Sequence, residues 1–170
     1  MKKKIIALVG MVALSITSLL SQIEQGTVML GGDAYFNYSF PSGEKASSNL
    51  NISPKAGFFI VDNMAIGASM TFNSFKGGSN FSIAPFMRAY YKGNFYGQLQ
   101  VGYGRSSFDV ADVTIKTSGL NTELDMGYTI FLTDNIALDP AIYYNFYTEG
   151  SKYGGSNLGM KIGFQLFLNR

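Results

Sequence analysis

The sequence contains no cysteine, no histidine and no tryptophan. Without cysteine the chain can form neither a disulfide nor a thiolate metal site, and without histidine it lacks the commonest catalytic base and the usual pH switch. These absences exclude many enzyme mechanisms and leave no indication of a cofactor. Charged residues are also scarce, at 14% of the chain, where an ordinary soluble domain has about 25%. Part of the surface is therefore expected to face something other than water.

The first 21 residues have the pattern of a secretory signal peptide. Lys2, Lys3 and Lys4 precede an apolar run at positions 5–20, which is shorter than the ~20 residues that a membrane-spanning helix needs. Cleavage near Ser21 would leave residues 22–170 as one domain, although an uncleaved anchor is an alternative. Removal of the three lysines leaves 10 of the 13 basic residues against 11 acidic ones. The mature chain therefore has no excess of positive charge with which to bind nucleic acid.

Beyond Gln25 the sequence alternates between apolar and polar residues, and no segment shows a convincing helical period. A period of two is typical of strands with two unlike faces. Between Thr27 and Phe40, for example, most even positions are apolar, whereas the odd positions include Asp33 and Asn37. Eight segments of this kind follow one another. The pattern predicts an all-β fold of eight antiparallel, up-and-down strands.

Short and long links alternate between these strands. Two similar stretches, FIVDNMAIG at 59–67 and FLTDNIALD at 131–139, contain two of the short links. Asp, Asn and Gly tolerate turn geometry, so these links are interpreted as tight hairpins at one end of the sheet, with longer polar loops at the other. The predicted turns contain Asp62, Asn63, Gly93, Asn94, Asp134 and Asn135.

Three prolines fall inside predicted strands, at Pro54, Pro85 and Pro140. Proline has no backbone N–H to donate to a strand ladder and is normally confined to edges and bulges. A local irregularity is therefore expected at each of the three positions.

The composition of the polar face distinguishes two architectures. Eight up-and-down strands can form a soluble, lipocalin-like barrel with its apolar face inside, or a transmembrane barrel with its apolar face towards lipid. The polar face carries Gly, Ser, Thr, Asn and Gln but too few charges for a wall in water. Its glycines suit the interior of an eight-stranded barrel, which is only wide enough for side chains. The pattern favours a closed transmembrane barrel.

Seven charged residues lie on the polar face and are predicted to form a network in the barrel lumen. A buried charge must be paired, and Asp33, Lys55, Asp125 and Lys161 fall at similar depths when counted from the short turns. A gated ion path is an alternative, as is a glycosidase-like pair of Glu123 and Asp125, whose spacing such enzymes can use. The predicted network contains Asp33, Lys55, Arg88, Glu123, Asp125, Asp139 and Lys161.

With these features the chain resembles the small outer-membrane β-barrel proteins of Gram-negative bacteria, of the OmpX and OmpA-transmembrane-domain type within the porin family. The last predicted strand, KIGFQLFL at 161–168, is similar to the family's assembly signal through Lys161, Gly163, Leu166 and Leu168. The stretch SPKAGFFIVDNMAIGA at 53–68 is similar to a strand-turn-strand of the outer membrane protein beta-barrel domain group.

The resemblance implies insertion by the outer-membrane assembly machinery, contact with lipid and lipopolysaccharide, and both mature termini in the periplasm. We expect a monomer without enzymatic activity, cofactor or nucleic-acid partner, whose role is structural or surface interaction. A narrow porin or small-molecule conduit is the alternative function, and a soluble ligand-binding barrel is a third.

Overall fold

The computed structural model of the chain describes residues 23–39, 47–75, 78–110, 113–149 and 152–170. The expected signal peptide lies outside the described residues. Within them no helix is long and apolar enough to cross a membrane. The same ranges form nine strand segments: β1 (Val28–Ser39), β2 (Ser47–Val61), β3 (Met64–Phe75), β4 (Gly78–Tyr91), β5 (Phe95–Val110), β6 (Val113–Tyr128), β7 (Ile130–Phe131), β8 (Ile136–Glu149) and β9 (Lys152–Leu168).

The strands form one closed antiparallel sheet. Their order is β6-β5-β4-β3-β2-β1-β9-β8-β7, and β6 also pairs with β8 to close the ring. The pairs Gly127 with Ala141 and Ile130 with Leu138 keep one register, so β6 and β7 are two parts of a single barrel strand. The predicted eight-stranded up-and-down barrel is confirmed. Closure provides neighbours for both edges of each strand, as a backbone surrounded by lipid requires.

Each proline within a strand coincides with an interruption of a ladder. The β2–β3 ladder begins at Lys55, immediately after Pro54. The β4–β5 ladder omits Pro85 and the residue before it, without a change of register. The break between β6 and β7 at Thr129 lies opposite the region of Pro140 on β8. The missing proline N–H accounts for this coincidence.

Several strands are longer than the sequence pattern indicated. Among the longer polar loops predicted from the sequence, one covers residues 106–118, but β5 extends to Val110 and β6 begins at Val113, with these two residues paired. The expectation was wrong because alternation disappears once a strand leaves lipid and both of its faces can be polar. The Thr, Val and Ile of this stretch still favour a strand conformation.

The apolar face points outwards. Met126 and Met160 are 64% and 75% exposed, and Leu158 is 76% exposed. A soluble ligand-binding barrel requires the reverse arrangement, so this outward face is suited to lipid. Other large exposed residues on this face include Ile52, Ile66, Met70, Phe72, Phe81, Tyr91, Phe95, Tyr103, Leu120, Leu124, Ile142, Ile162 and Phe164.

Inward-facing glycines make room for aromatic rings. A Cβ atom at Gly127 would lie 2.4 Å from the Tyr96 ring, and one at Gly159 would lie 2.6 Å from the Tyr143 hydroxyl. Real Cβ atoms do not approach other atoms so closely. These glycines therefore allow large side chains from neighbouring strands to lie against the inner wall of a narrow barrel.

The interior at the short-turn end is apolar, whereas a polar lumen was expected. We call this cluster the aromatic floor: Phe59, Tyr90, Tyr96, Phe131 and Phe167, whose neighbouring ring centroids are 5.4–6.2 Å apart. These distances are typical of packed aromatic pairs. Sequence alternation missed the floor because both faces of the strands become apolar near the turns, as in the consecutive phenylalanines at 58 and 59.

Both ends of the described chain lie at the short-turn end of the barrel. Ile23 is fully buried against the aromatic floor, and its backbone carbonyl accepts a 2.9 Å hydrogen bond from the backbone N–H of Asn63. At the other end, the Arg170 guanidinium lies 3.7 Å from the centre of the Phe131 ring. The two termini thus cover the floor from outside.

The orientation of the outer face predicts a position-dependent cost for a charge. Leu124→Arg, in the middle of the β6–β8 ladder, should lower the free energy of unfolding by about 2–4 kcal/mol, because the guanidinium would enter lipid. Equilibrium unfolding by urea in lipid vesicles measures this quantity. Leu132→Arg, at an exposed turn, is the matched control and should cost only about 0–1 kcal/mol. Equal effects of the two substitutions would contradict a lipid-facing surface at Leu124.

Candidate functional site: the luminal charge network

All seven charged residues singled out in the sequence lie inside the barrel. Each is at most 5% exposed, although they come from six different strands. Strand alternation explains their position, because each occupies the inward parity of its strand. Burial at this level requires that the charges be paired.

Lys161 on β9 is the centre of the upper part of the network. Its ammonium nitrogen lies 2.7 Å from Asp125 Oδ2, 2.8 Å from Glu123 Oε1 and 3.1 Å from Asp33 Oδ2. It also donates a 3.3 Å hydrogen bond to the Tyr35 hydroxyl oxygen, and the Tyr35 hydroxyl donates to Glu123 Oε1 at 3.0 Å. One cation therefore joins carboxylates from β1 and β6.

Lys55 on β2 extends this cluster to the neighbouring wall. Its ammonium nitrogen lies 2.5 Å from Asp33 Oδ2, the same oxygen that contacts Lys161. A Cβ atom at Gly163 would lie 2.8 Å from Asp33 Oδ1, so the glycine leaves space for this carboxylate. Gly163 also belongs to the predicted assembly signal, and the packing against Asp33 is a separate reason for a glycine there.

Arg88 on β4 forms the lower part of the network, next to the aromatic floor. Its side chain is fully buried, with one terminal nitrogen 2.6 Å from Asp139 Oδ2. The guanidinium carbon lies 4.0 Å from the centre of the Tyr96 ring, a cation–π arrangement that a desolvated arginine favours. The ion pair is thus held between a carboxylate and an aromatic face.

Gln98 on β5 connects the two parts, and sequence reasoning did not single it out. Its Oε1 accepts a 2.9 Å hydrogen bond from Arg88 Nε, while its Nε2 donates a 2.7 Å bond to Asp125 Oδ2. Strand register explains the bridge, because Gln98 lies directly between Arg88 on β4 and Asp125 on β6. A search for charged residues alone overlooks such an amide, although its inward parity was visible in the sequence.

The arrangement pairs charges and leaves little chemistry available to a substrate. Glu123 and Asp125, considered above as a possible glycosidase pair, both bind Lys161 and are 5% and 2% exposed. Among the described residues, no group of three or more potential ligands has a geometry suited to a metal ion. The network fills the lumen and connects opposite walls of the barrel.

The remaining predicted residues lie at the short-turn end. The turn at Asp62 and Asn63 connects β2 to β3, with Asn63 in the left-handed region at φ 62°. Gly93, at φ 77°, and Asn94 connect β4 to β5. Asp134 and Asn135 lie between β7 and β8. Leu166 and Leu168 lie at the end of β9, on its outward face.

An apolar outer band around a lumen filled with paired charges and aromatic rings defines a transmembrane β-barrel with a packed interior. No protein-family model and no curated protein matches the sequence. Solved structures do share the fold, and those named below are eight-stranded outer-membrane barrels.

Three of these structures cover most of the chain. Neisserial surface protein A matches 84% of this chain and 97% of its own, with 14% identity and a TM-score of 0.60. The N-terminal β-barrel domain of Pseudomonas aeruginosa OprF matches 86% and 100%, with 11% identity and a TM-score of 0.57. Ail, the attachment invasion locus protein of Yersinia pestis, matches 85% and 99%, with 16% identity and a TM-score of 0.55. At these identities the likeness establishes the fold.

Removal of one partner from the lower ion pair should destabilise the barrel strongly. Arg88→Met leaves the buried Asp139 carboxylate without its cation, a change that costs about 3–5 kcal/mol in unfolding free energy. Adding Asp139→Asn should recover part of that loss, because no uncompensated charge then remains. Urea unfolding in lipid vesicles measures both effects. The control Lys116→Met, at an exposed position on β6, should change stability by no more than about 0.5 kcal/mol. A similar small effect at Arg88 would show that its pair with Asp139 is unimportant.

Proposed function

We propose that this protein is an integral outer-membrane barrel with a structural or surface-interaction role and a lumen that does not conduct. The observation that carries the proposal is the continuous network from Lys55 through Lys161 and Gln98 to Arg88, which crosses the interior and leaves its charged groups bound to one another. A channel instead requires groups that solvate a passing ion and then release it.

The aromatic floor supports the same proposal. Rings from five strands, with Ile23 below them, pack across the lumen at the short-turn end. A dry, packed layer of this kind opposes the passage of water or ions. The alternative function, a narrow porin or small-molecule conduit, would require both the floor and the charge network to rearrange.

The cellular setting follows from the sequence features together with the shared fold. We propose export by the signal peptide at 1–21 and insertion by the outer-membrane assembly machinery, which would recognise Lys161, Gly163, Leu166 and Leu168. The short turns and both mature termini would then lie in the periplasm, and the outer band would contact lipid and lipopolysaccharide. We propose a monomer, because the barrel closes with strands from a single chain.

Cell fractionation tests the location. The protein should sediment with the outer membrane and should migrate differently in electrophoresis with and without boiling, because closed membrane barrels resist detergent until they are heated. The matched control is the same chain denatured in urea before loading, which should show one position only. Recovery as a soluble periplasmic protein, without a heat-dependent shift, would refute an outer-membrane barrel.

Planar-bilayer recording distinguishes a packed lumen from a conduit. The unmodified protein should show no stable conductance, and Lys161→Met should lower unfolding stability by about 3–5 kcal/mol because it leaves three carboxylates without their shared cation. Conductance should stay low in this variant while the aromatic floor is intact. Lys116→Met serves as the control. A steady conductance in the unmodified protein that Lys161→Met alters without loss of stability would favour the conduit.

A further inference from the structure

One ladder of the barrel ends early on one side, near the long-loop end. Strand β6 pairs with β5 over its whole length from Val113 to Tyr128, but it pairs with β8 only from Asn121 to Gly127. Beyond that point a side chain replaces the ladder, because the Leu120 amide donates a 3.0 Å hydrogen bond to the Thr148 hydroxyl oxygen. The regular ladder between the two strands therefore ends above the charge network.

A cavity of about 370 Å³ lies at this level of the barrel, formed by residues of β4, β5, β6 and β8. We call it the vestibule. Most of its polar lining is neutral and consists of hydroxyls and amides. Its lining includes Asn80, Ser82, Ser106, Thr117, Asn121 and Asn145. Its volume lies within the range of small-molecule sites, about 300–1,000 Å³.

Two observations indicate that the vestibule is a built site. Asn145 is 8% exposed, and its side-chain nitrogen donates to Asn121 Oδ1 at 2.5 Å, so the base of the cavity is fixed in place. Asn80 Oδ1 is buried and has no hydrogen-bond partner among the described residues. A buried acceptor without a partner costs free energy, and a bound donor would remove that cost.

The chemistry of the walls selects the class of ligand. Hydroxyls and amides can both donate and accept hydrogen bonds, so their natural complement is a molecule with many hydroxyl groups. An apolar ligand would leave them unpaired. No carboxylate lies among the described lining residues, and their one charge is that of Arg105, which is an exposed residue. We propose that the vestibule binds a neutral sugar of one or two units, a function beyond the barrel role proposed above.

Titration with simple sugars tests the proposal. The probes are glucose and maltose, with glucuronate as an acidic comparison, added to the full chain in lauryldimethylamine oxide micelles, which carry no competing sugar headgroup. Saturation-transfer NMR reports binding. Glucose or maltose should bind saturably, and Asn80→Leu and Thr117→Val should each weaken binding by about tenfold through a lost hydrogen bond.

Asn51→Leu is the matched control, because Asn51 also has a buried side-chain oxygen without a partner among the described residues but does not line the vestibule. Its binding should equal that of the unmodified protein. The heat-dependent electrophoretic shift verifies folding of each variant, and Thr117→Val carries the test if Asn80→Leu does not fold. Absence of saturable binding by both neutral sugars overturns the proposal, as does binding of glucuronate alone. Equal binding by the unmodified protein and the vestibule variants overturns the location.

Discussion

One ammonium group, that of Lys161, determines how the interior of this barrel can be built. Three carboxylates lie within 3.1 Å of it, at a depth where an unpaired charge costs several kcal/mol. The lumen of an eight-stranded barrel has room for side chains and little else. The carboxylates, the second lysine and the tyrosine of β1 therefore take positions that are compatible with that one cation. Gly163 on the same strand leaves the space that the arrangement requires.

The interior is divided along the barrel axis into three layers that differ in the polarity and charge of their side chains. At the short-turn end aromatic rings exclude water, in the middle buried charges neutralise one another, and at the long-loop end neutral hydroxyls and amides surround a cavity. Hydrogen bonds connect the layers. Arg88 donates to the Tyr90 hydroxyl oxygen below it and to Gln98 above it, and Asn145 donates to Glu123 from the vestibule. The three layers are thus joined by direct side-chain contacts.

Much of this organisation could be predicted from the sequence, because a strand with one face in lipid displays its orientation at every second residue. That alternation identified the eight strands, the closed barrel and the parity of all seven buried charges. It could not reveal the bridge through Gln98, which depends on the register of three consecutive strands, β4, β5 and β6, and alternation within one strand does not determine that register. It also missed the aromatic floor and the extended β5–β6 hairpin. In both regions the two faces of the strand share one environment, apolar in the first and polar in the second, so alternation carries no information.

The three prolines at the ladder interruptions have a consequence for the fidelity of assembly. A strand that slips by one residue exposes its polar side chains to lipid, and this exposure raises the free energy of the misaligned barrel. A slip by two residues preserves both faces, and hydrophobicity alone cannot detect it. Pro54, Pro85 and Pro140 distinguish such a slip from the correct alignment. A two-residue slip would place a residue without an N–H opposite a carbonyl that needs a donor, and the surrounding lipid offers no water as a substitute. The three prolines, which interrupt the ladders of the finished sheet, thus also disfavour incorrect alignments of its strands.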